Sequence, residues 1–438
     1  MKFNLRSFFK GKRLSAVIWF LRIAVGLVFL YSGFVKVVDP WGFIFKLEEY
    51  LALADIVFPR SITLLLSLGC SIFEFVAGLL LATGCYRRLV PISMTAFMLV
   101  MLPLTAYLYI ADPIPDCGCF GDAVILTNGE TFFKNVLLSA AIVALLFLNF
   151  RVCGLISKHL GWIVAGLGFI YSLALGIYGY NVQPAVDFRP YPEGSSLVQD
   201  NEGDEDNIRF VYRKGGVTKE FTADNLPDGD GWEFVERIEG DSGNDSYFAI
   251  TDTDGEDRFP ELIESGYDRG FFLLVIPEPE MVDISGTYYV NELASVCSDN
   301  NIGFCCAIAA DSAGIEDWKD RSFADYEVYT AEDTSLKELV RGTMALVYVA
   351  GGKIIWKRTV SSVTDSFLDE ISRTASAGKP LVTVLENRNE VQKRLLRFSI
   401  GFIGALLFLF IADKIYSLNK RKKSSESKAD KEKNQSSE

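Results

Sequence analysis

The chain has 438 residues, half of them hydrophobic and 13 % aromatic, with a formal charge of −13 and a mean hydropathy of +0.22. Such a balance excludes a disordered chain, a collagenous one and a small disulfide scaffold, and the acidity argues against nucleic-acid binding, which needs a basic face. One histidine, His159, argues against a His-rich metal centre and against a Ser-His-Asp triad.

Residues 1–13 are basic, with Lys2, Arg6, Lys10, Lys12 and Arg13. The apolar run at 14–37 follows without a small-residue cleavage site, so it reads as an uncleaved membrane anchor and not as a signal peptide. Five more runs of about 18–25 residues are long enough to span a bilayer, at 59–83, 89–110, 132–150, 155–178 and 398–416. Arg87, Arg88, Arg151, Lys158 and the cluster Lys420–Lys423 lie in alternate linkers. Asp39, Glu48, Glu49, Asp55, Asp112, Asp116, Asp122 and Glu130 lie in the others. The positive-inside rule then places both termini in the cytoplasm of a multi-pass inner-membrane protein, with residues 181–389 in the periplasm. Residues 181–390 hold 42 acidic and 18 basic side chains, net −24, which leaves +11 on the rest. Membrane lipid is one expected partner. The tail beyond 419 reads as cytoplasmic and disordered.

The periplasmic part divides at about residue 267. Residues 181–266 are acidic and β-rich, with alternating stretches at 209–213 and 247–251. The stretch 271–276 is an uninterrupted apolar run, hence a buried strand. A helix is predicted over 285–297, a second buried strand over 304–310, and a helix over 331–340 capped by Asp333 or Thr334. A hairpin turning at Gly351-Gly352 follows. This order resembles the thioredoxin fold over 267–385. Where thioredoxins carry Cys-x-x-Cys, this chain has Pro277-Glu278-Pro279-Glu280-Met281-Val282-Asp283, and Gly342-Thr343-Met344 stands where they place a proline. The resemblance implies fold without redox chemistry.

Of eight cysteines, Cys85 and Cys153 sit at cytoplasmic span ends, where thiols stay reduced. Cys70 sits within a span, Cys297 on the predicted helix, and Cys305 and Cys306 in the predicted strand. Cys117 and Cys119 differ in kind. They lie in the polar loop Asp116-Cys117-Gly118-Cys119-Phe120-Gly121-Asp122 between the third and fourth spans. Two cysteines one residue apart close a small strained ring, and strain makes a disulfide a good electron acceptor. The flanking aspartates argue against thiolate activation. A disulfide that only pins the loop, or a metal held by thiols and carboxylates, are the other readings.

Arg22, Gly26, Ser32-Gly33, Lys36 and Asp39-Pro40 in and after the first span, with Glu74 and Gly78 in the second, resemble the DoxX superfamily of four-helix membrane proteins. The Cys-Gly-Cys-Phe-Gly loop narrows the resemblance to the methylamine-utilisation MauE-like branch, over about 14–150. The predicted fold class is therefore a mainly α membrane protein. A DoxX/MauE-like bundle is joined by two further transmembrane helices at 151–180 and 386–418, and by an α/β thioredoxin-like extracytoplasmic domain. The resemblance implies that Cys117 and Cys119 exchange electrons between an extracytoplasmic redox or folding partner and membrane quinone. A non-catalytic scaffold that presents the acidic domain to a periplasmic partner is the alternative.

Ionised groups in hydrocarbon are costly unless paired. At ~1.5 Å per residue, Arg22 and Glu74 fall roughly 6 and 4–5 Å to the same side of their span centres. They are expected to pair, or to border a quinone pocket. Lys36, near a span end, is expected to snorkel.

Overall fold

The computed structural model describes residues 5–114, 116–149, 152–197, 209–214, 217–222, 233–238, 248–252, 254–265, 270–387 and 390–435. Contacts divide the chain into two units, Met1–Phe188 with Arg388–Glu438, and Arg189–Asn387.

Among the described residues of the first unit, six helices are long and apolar enough to cross a membrane. They lie within α1 (Leu5–Val38), α3 (Arg60–Thr83), α4 (Leu89–Ala111), α5 (Asn128–Leu148), α6 (Gly161–Asn181, with the short turn before it) and a C-terminal helix (Glu390–Gln435). The C-terminal helix continues through the tail expected to be disordered, because Lys, Glu and Ala propagate a helix readily once a span has nucleated it. A further helix, α2 (Pro40–Ala52), occupies what the sequence suggested was only an acidic linker. Its start was legible, since the Asp39 side chain caps the Gly42 amide at 3.1 Å and Pro40 fills the first turn.

Small residues set the register between α1 and α3. A Cβ added at Gly33 would lie 2.3 Å from the Phe75 amide nitrogen, and one at Gly78 would lie 2.4 Å from that of Leu30. The backbones therefore touch, as they do where membrane helices pack through glycine. Trp41 of α2 stacks on Tyr180 of α6 at 4.8 Å and donates its indole N–H to the Tyr180 carbonyl, which joins the fifth span to the bundle. Tyr171 of α6 stacks on Phe402 of the C-terminal helix at 4.2 Å.

The described residues of the second unit form two sheets. β1 (Arg209–Lys214), β2 (Val217–Thr222) and β3 (Glu233–Ile238) pair antiparallel in the order β2-β1-β3. After the short α7 (Phe259–Ser265), the larger sheet contains β4 (Phe271–Ile276), β5 (Gly303–Ile308), β6 (Glu327–Thr330), β7 (Ala345–Ala350) and β8 (Lys353–Thr359). Its order is β6-β5-β4-β7-β8. The first three of these are mutually parallel, and β7 runs antiparallel to both β4 and β8. Helices α8 (Thr287–Asp299), α9 (Ser312–Ser322), α10 (Asp333–Leu339), α11 (Asp365–Ser376) and α12 (Val382–Asn387) complete the unit. The expected strand–helix–strand–helix–hairpin order is present, with α9 and β6 inserted before the second helix. That insertion escaped the sequence reading because α9 is mostly polar and β6 has only four residues.

Every residue of β4 is buried, since both faces of the sheet are covered. Phe272, Leu274 and Ile276 face Val290 and Leu293 of α8 and Phe367 and Ile371 of α11. Phe271, Leu273 and Val275 face Leu336 and Leu339 of α10, together with Tyr191, Phe248, Ile250 and Phe259. Residues before the boundary expected at 267 thus share a core with the sheet. Segments preceding β4 supply part of the cover for its second face, because an apolar sheet face must be shielded on whichever side it lies.

Candidate functional site

The loop between α4 and α5 is held at both ends. Asn128 donates its amide to Asp112 Oδ1 at 2.7 Å and to the Ile114 carbonyl at 2.6 Å, and Thr127 and Glu130 form a reciprocal cap on α5. Within it Cys117 Sγ and Cys119 Sγ lie 3.1 Å apart as free thiols. Gly118 between them has φ +61°, and a Cβ there would also press on Lys46 Cγ at 2.7 Å. Only glycine suits both the backbone and the space.

Four helices close around this pair. From α2, Tyr50 donates its hydroxyl to the Cys117 carbonyl, and Lys46 pairs with Asp116 at 3.0 Å. Lys134 of α5 stands 4.1 Å over the ring of Phe120, which also packs on Tyr31. Beneath the loop, Ser32 Oγ lies 2.9 Å from the Cys119 carbonyl oxygen and 2.7 Å from Glu74 Oε2, so its one proton serves either acceptor. Lys36 Nζ completes the group, 2.8 and 2.9 Å from the two Glu74 oxygens. Lys36 and Glu74 are each 3 % exposed.

The expected partnership of Arg22 with Glu74 is therefore corrected. Glu74 faces Ser32 and Lys36. Arg22, ten residues before Ser32 on the same helix, sits about 15 Å away along the axis. There it lies 3.6 Å over the Trp19 ring and donates to the Cys153 carbonyl at 3.3 Å. Span lengths give the depth of each helix only loosely, whereas the glycine contacts between α1 and α3 place Arg22 beside Gly84, where an added Cβ would lie 2.6 Å from the guanidinium. Lys36 does not snorkel. Its spacing of four from Ser32, on the face turned to α3, is the signal that could have assigned it to Glu74.

The like-charge argument against thiolate activation is also corrected. Asp116 is paired with Lys46, and the cations nearest Cys119 are Lys134 and Lys36. A hydrogen bond from the Cys117 thiol, aided by those two ammonium groups, holds Cys119 below the usual thiol range despite burial and the Glu74 carboxylate. Cys117 is pushed up, because its proton is held toward Cys119 and because it is buried. The loop thus contains one thiolate-favouring sulfur beside one that stays protonated.

A cavity of about 40 Å³ lies between Cys119, Lys134 and Asn135 on one side and Ser32, Lys36 and Glu74 on the other, walled by Phe29, Phe97, Met98 and Met101. That is room for one or two waters. It is far below the roughly 300–1,000 Å³ of a small-molecule pocket, so a quinone ring does not fit it as it stands. Among the described residues no group of three or more His, Cys, Asp or Glu is placed to hold a metal.

Residues 14–148, which run from within α1 to the end of α5 and contain the dithiol loop, match the family model described as Methylamine utilisation protein MauE. Over that segment, about a third of the chain, this multi-helix protein is similar to MauE. Residues 207–239, which include β1 to β3, match Domain of unknown function (DUF8463). No curated protein and no solved structure matches the chain. Within the MauE-like match lie Cys117, Cys119, Lys36 and Glu74, so the dithiol and the ion pair beneath it belong to the same matched segment.

Proposed function

We propose that this MauE-like protein is a membrane thiol–disulfide oxidoreductase that exchanges electrons with an extracytoplasmic protein through Cys119 and Cys117. The observation that carries the reading is the pair of free sulfurs 3.1 Å apart, one of them beside two lysines. Cys119 is the half-buried, thiolate-favouring sulfur and attacks; Cys117, 6 % exposed, resolves the mixed disulfide. The alternation of basic and acidic linkers orients the dithiol end toward the periplasm of an inner membrane. Outward apolar side chains such as Phe20, Leu99, Ile110 and Leu137 supply a surface for lipid.

The second unit, in this reading, is a thioredoxin-like module without its own dithiol. Its strand order supports that placement, and the turn after β4 carries Pro279 and Glu280 and no cysteine. Membership of the wider DoxX superfamily, and a part in methylamine utilisation, belong to the same proposal. Membrane quinone as a redox partner of the dithiol would require Phe97, Met98 and Met101 to part.

The test is to trap the partner in living cells. In Cys117→Ser the remaining Cys119 should hold a protein as a mixed disulfide, and Cys119→Ser should hold none. In the unsubstituted protein the pair should cycle between dithiol and disulfide when respiration is switched on and off. A pair fixed in one state under every condition, with nothing captured, would leave a scaffold.

A further inference from the structure

A buried ammonium–carboxylate pair is costly to place in a membrane, and Lys36 and Glu74 form one beneath the dithiol loop. Both side chains line the same cavity as Cys119, and Ser32 hydrogen-bonds to Glu74 or to the Cys119 backbone. In a low-dielectric cavity, steps that keep the local charge constant are cheap, and steps that create an unpaired charge are not. The charged and titratable groups facing Glu74 are Lys36 from α1, Cys119 from the loop, Lys134 from α5, and Cys70 one turn away on α3. The cavity residues of α4 are the apolar Phe97, Met98 and Met101.

We propose that Glu74 accepts the proton that Cys119 gives up, so that Lys36 always has one anionic partner. That partner is the Glu74 carboxylate when Cys119 is a thiol, and the Cys119 thiolate when Glu74 is an acid. The proton crosses the cavity through a water that it has room for. The proposal rests on the dithiol reading and supplies its proton path.

The exchange then balances with a protein disulfide as oxidant. The Cys119 S–H proton moves to a Glu74 oxygen, and the Cys119 thiolate attacks one sulfur of the partner disulfide. A Cys119–partner S–S bond forms, the partner's own S–S bond breaks, and its leaving sulfur takes the electron pair. The proton stored on Glu74 is released to that sulfur, and the Lys36–Glu74 pair is restored. Cys117 sulfur next attacks Cys119 sulfur. The Cys117–Cys119 bond forms, the mixed disulfide breaks, and the Cys117 proton goes to the second partner sulfur. One dithiol is oxidised, one disulfide is reduced, and two protons change hands.

The experiment uses the full-length, reduced protein in detergent, in a Cys117→Ser background so that Cys119 cannot close a disulfide. The rate of iodoacetamide labelling at Cys119 is followed against pH by peptide mass. Glu74→Gln strands the Lys36 ammonium beside Cys119. It should move the labelling midpoint down by about one pH unit, roughly tenfold faster labelling on the acidic limb. Lys36→Met with Glu74→Gln removes both charges at nearly constant volume and should move the midpoint up, with labelling roughly tenfold slower than the parent. If Glu74→Gln alone does not fold, the parent against the double variant still decides. Identical profiles in proteins that elute and melt alike would overturn the proposal and leave the pair a structural staple. That failure is separate from failure of the oxidoreductase reading, which the trapping of partners in cells measures independently.

Discussion

Cys119 in the membrane unit and Cys305 in the sheet unit are both shielded from bulk water, yet their surroundings act on them in opposite directions. Cys305 is 1 % exposed in a strand packed on both faces, and burial pushes its thiol up. Cys306 points to the opposite face and is pushed well above the ordinary value; Cys297 on α8 is raised to about 12 by burial alone. Cys119 is held down because its shielding comes with a hydrogen bond from Cys117 and with two ammonium groups. Burial in apolar surroundings silences a thiol, whereas burial beside cations prepares one to react. The vicinal Cys305 and Cys306 cannot work together in the same way, because neighbours along a strand face opposite sides of the sheet.

The widest expected gap is in labelling of the native protein. Cys119 should label with iodoacetamide about a thousandfold or more faster than Cys297, Cys305 and Cys306, which are reached only when their unit opens by several kcal/mol. Because its thiolate is favoured, labelling of Cys119 should persist as pH falls below the ordinary thiol range and decline only at more acidic pH. Comparable rates at Cys119 and Cys305 would erase the contrast between the units.

Gly33→Leu is next in size. With the Phe75 backbone 2.3 Å from the added Cβ, the α1–α3 contact cannot form, and the loss should exceed about 4 kcal/mol, seen as aggregation in detergent. Gly166→Leu on α6 adds its side chain where nothing lies within 4 Å, and the protein should elute as before. A tolerated Gly33→Leu would mean that the register beneath the dithiol is set elsewhere.

In the sheet unit, Leu274→Ala should cost about 2–5 kcal/mol by opening a cavity between β4 and its helices, read as a lower melting temperature. It should leave Cys119 labelling unchanged, which tests whether the two units are energetically separate. The smallest effect is at the loop. Tyr50→Phe removes the hydrogen bond to the Cys117 carbonyl, and its cost of about 0.5–1.5 kcal/mol should appear as faster labelling of Cys117 without loss of the bundle.

Six candidate spans, the polar dithiol loop between the third and fourth, strand β4 and the glycine-turned hairpin were all legible in the sequence. Each is written locally, in a run of apolar residues, a turn signal or a cap. Helix α2 was written there too, in Asp39-Pro40, but its shortness let it pass for a linker. The placement of Lys36 against Glu74, the separation of Arg22 from both, and the cationic surroundings of Cys119 were decided only by tertiary structure. They depend on how far α1 slides along α3, and hydrophobicity cannot set that, because every register of two apolar helices buries similar surface in lipid. The contacts of Gly33 with Phe75 and of Gly78 with Leu30 choose one register by steric fit. That choice brings a carboxylate and an ammonium beneath the two sulfurs.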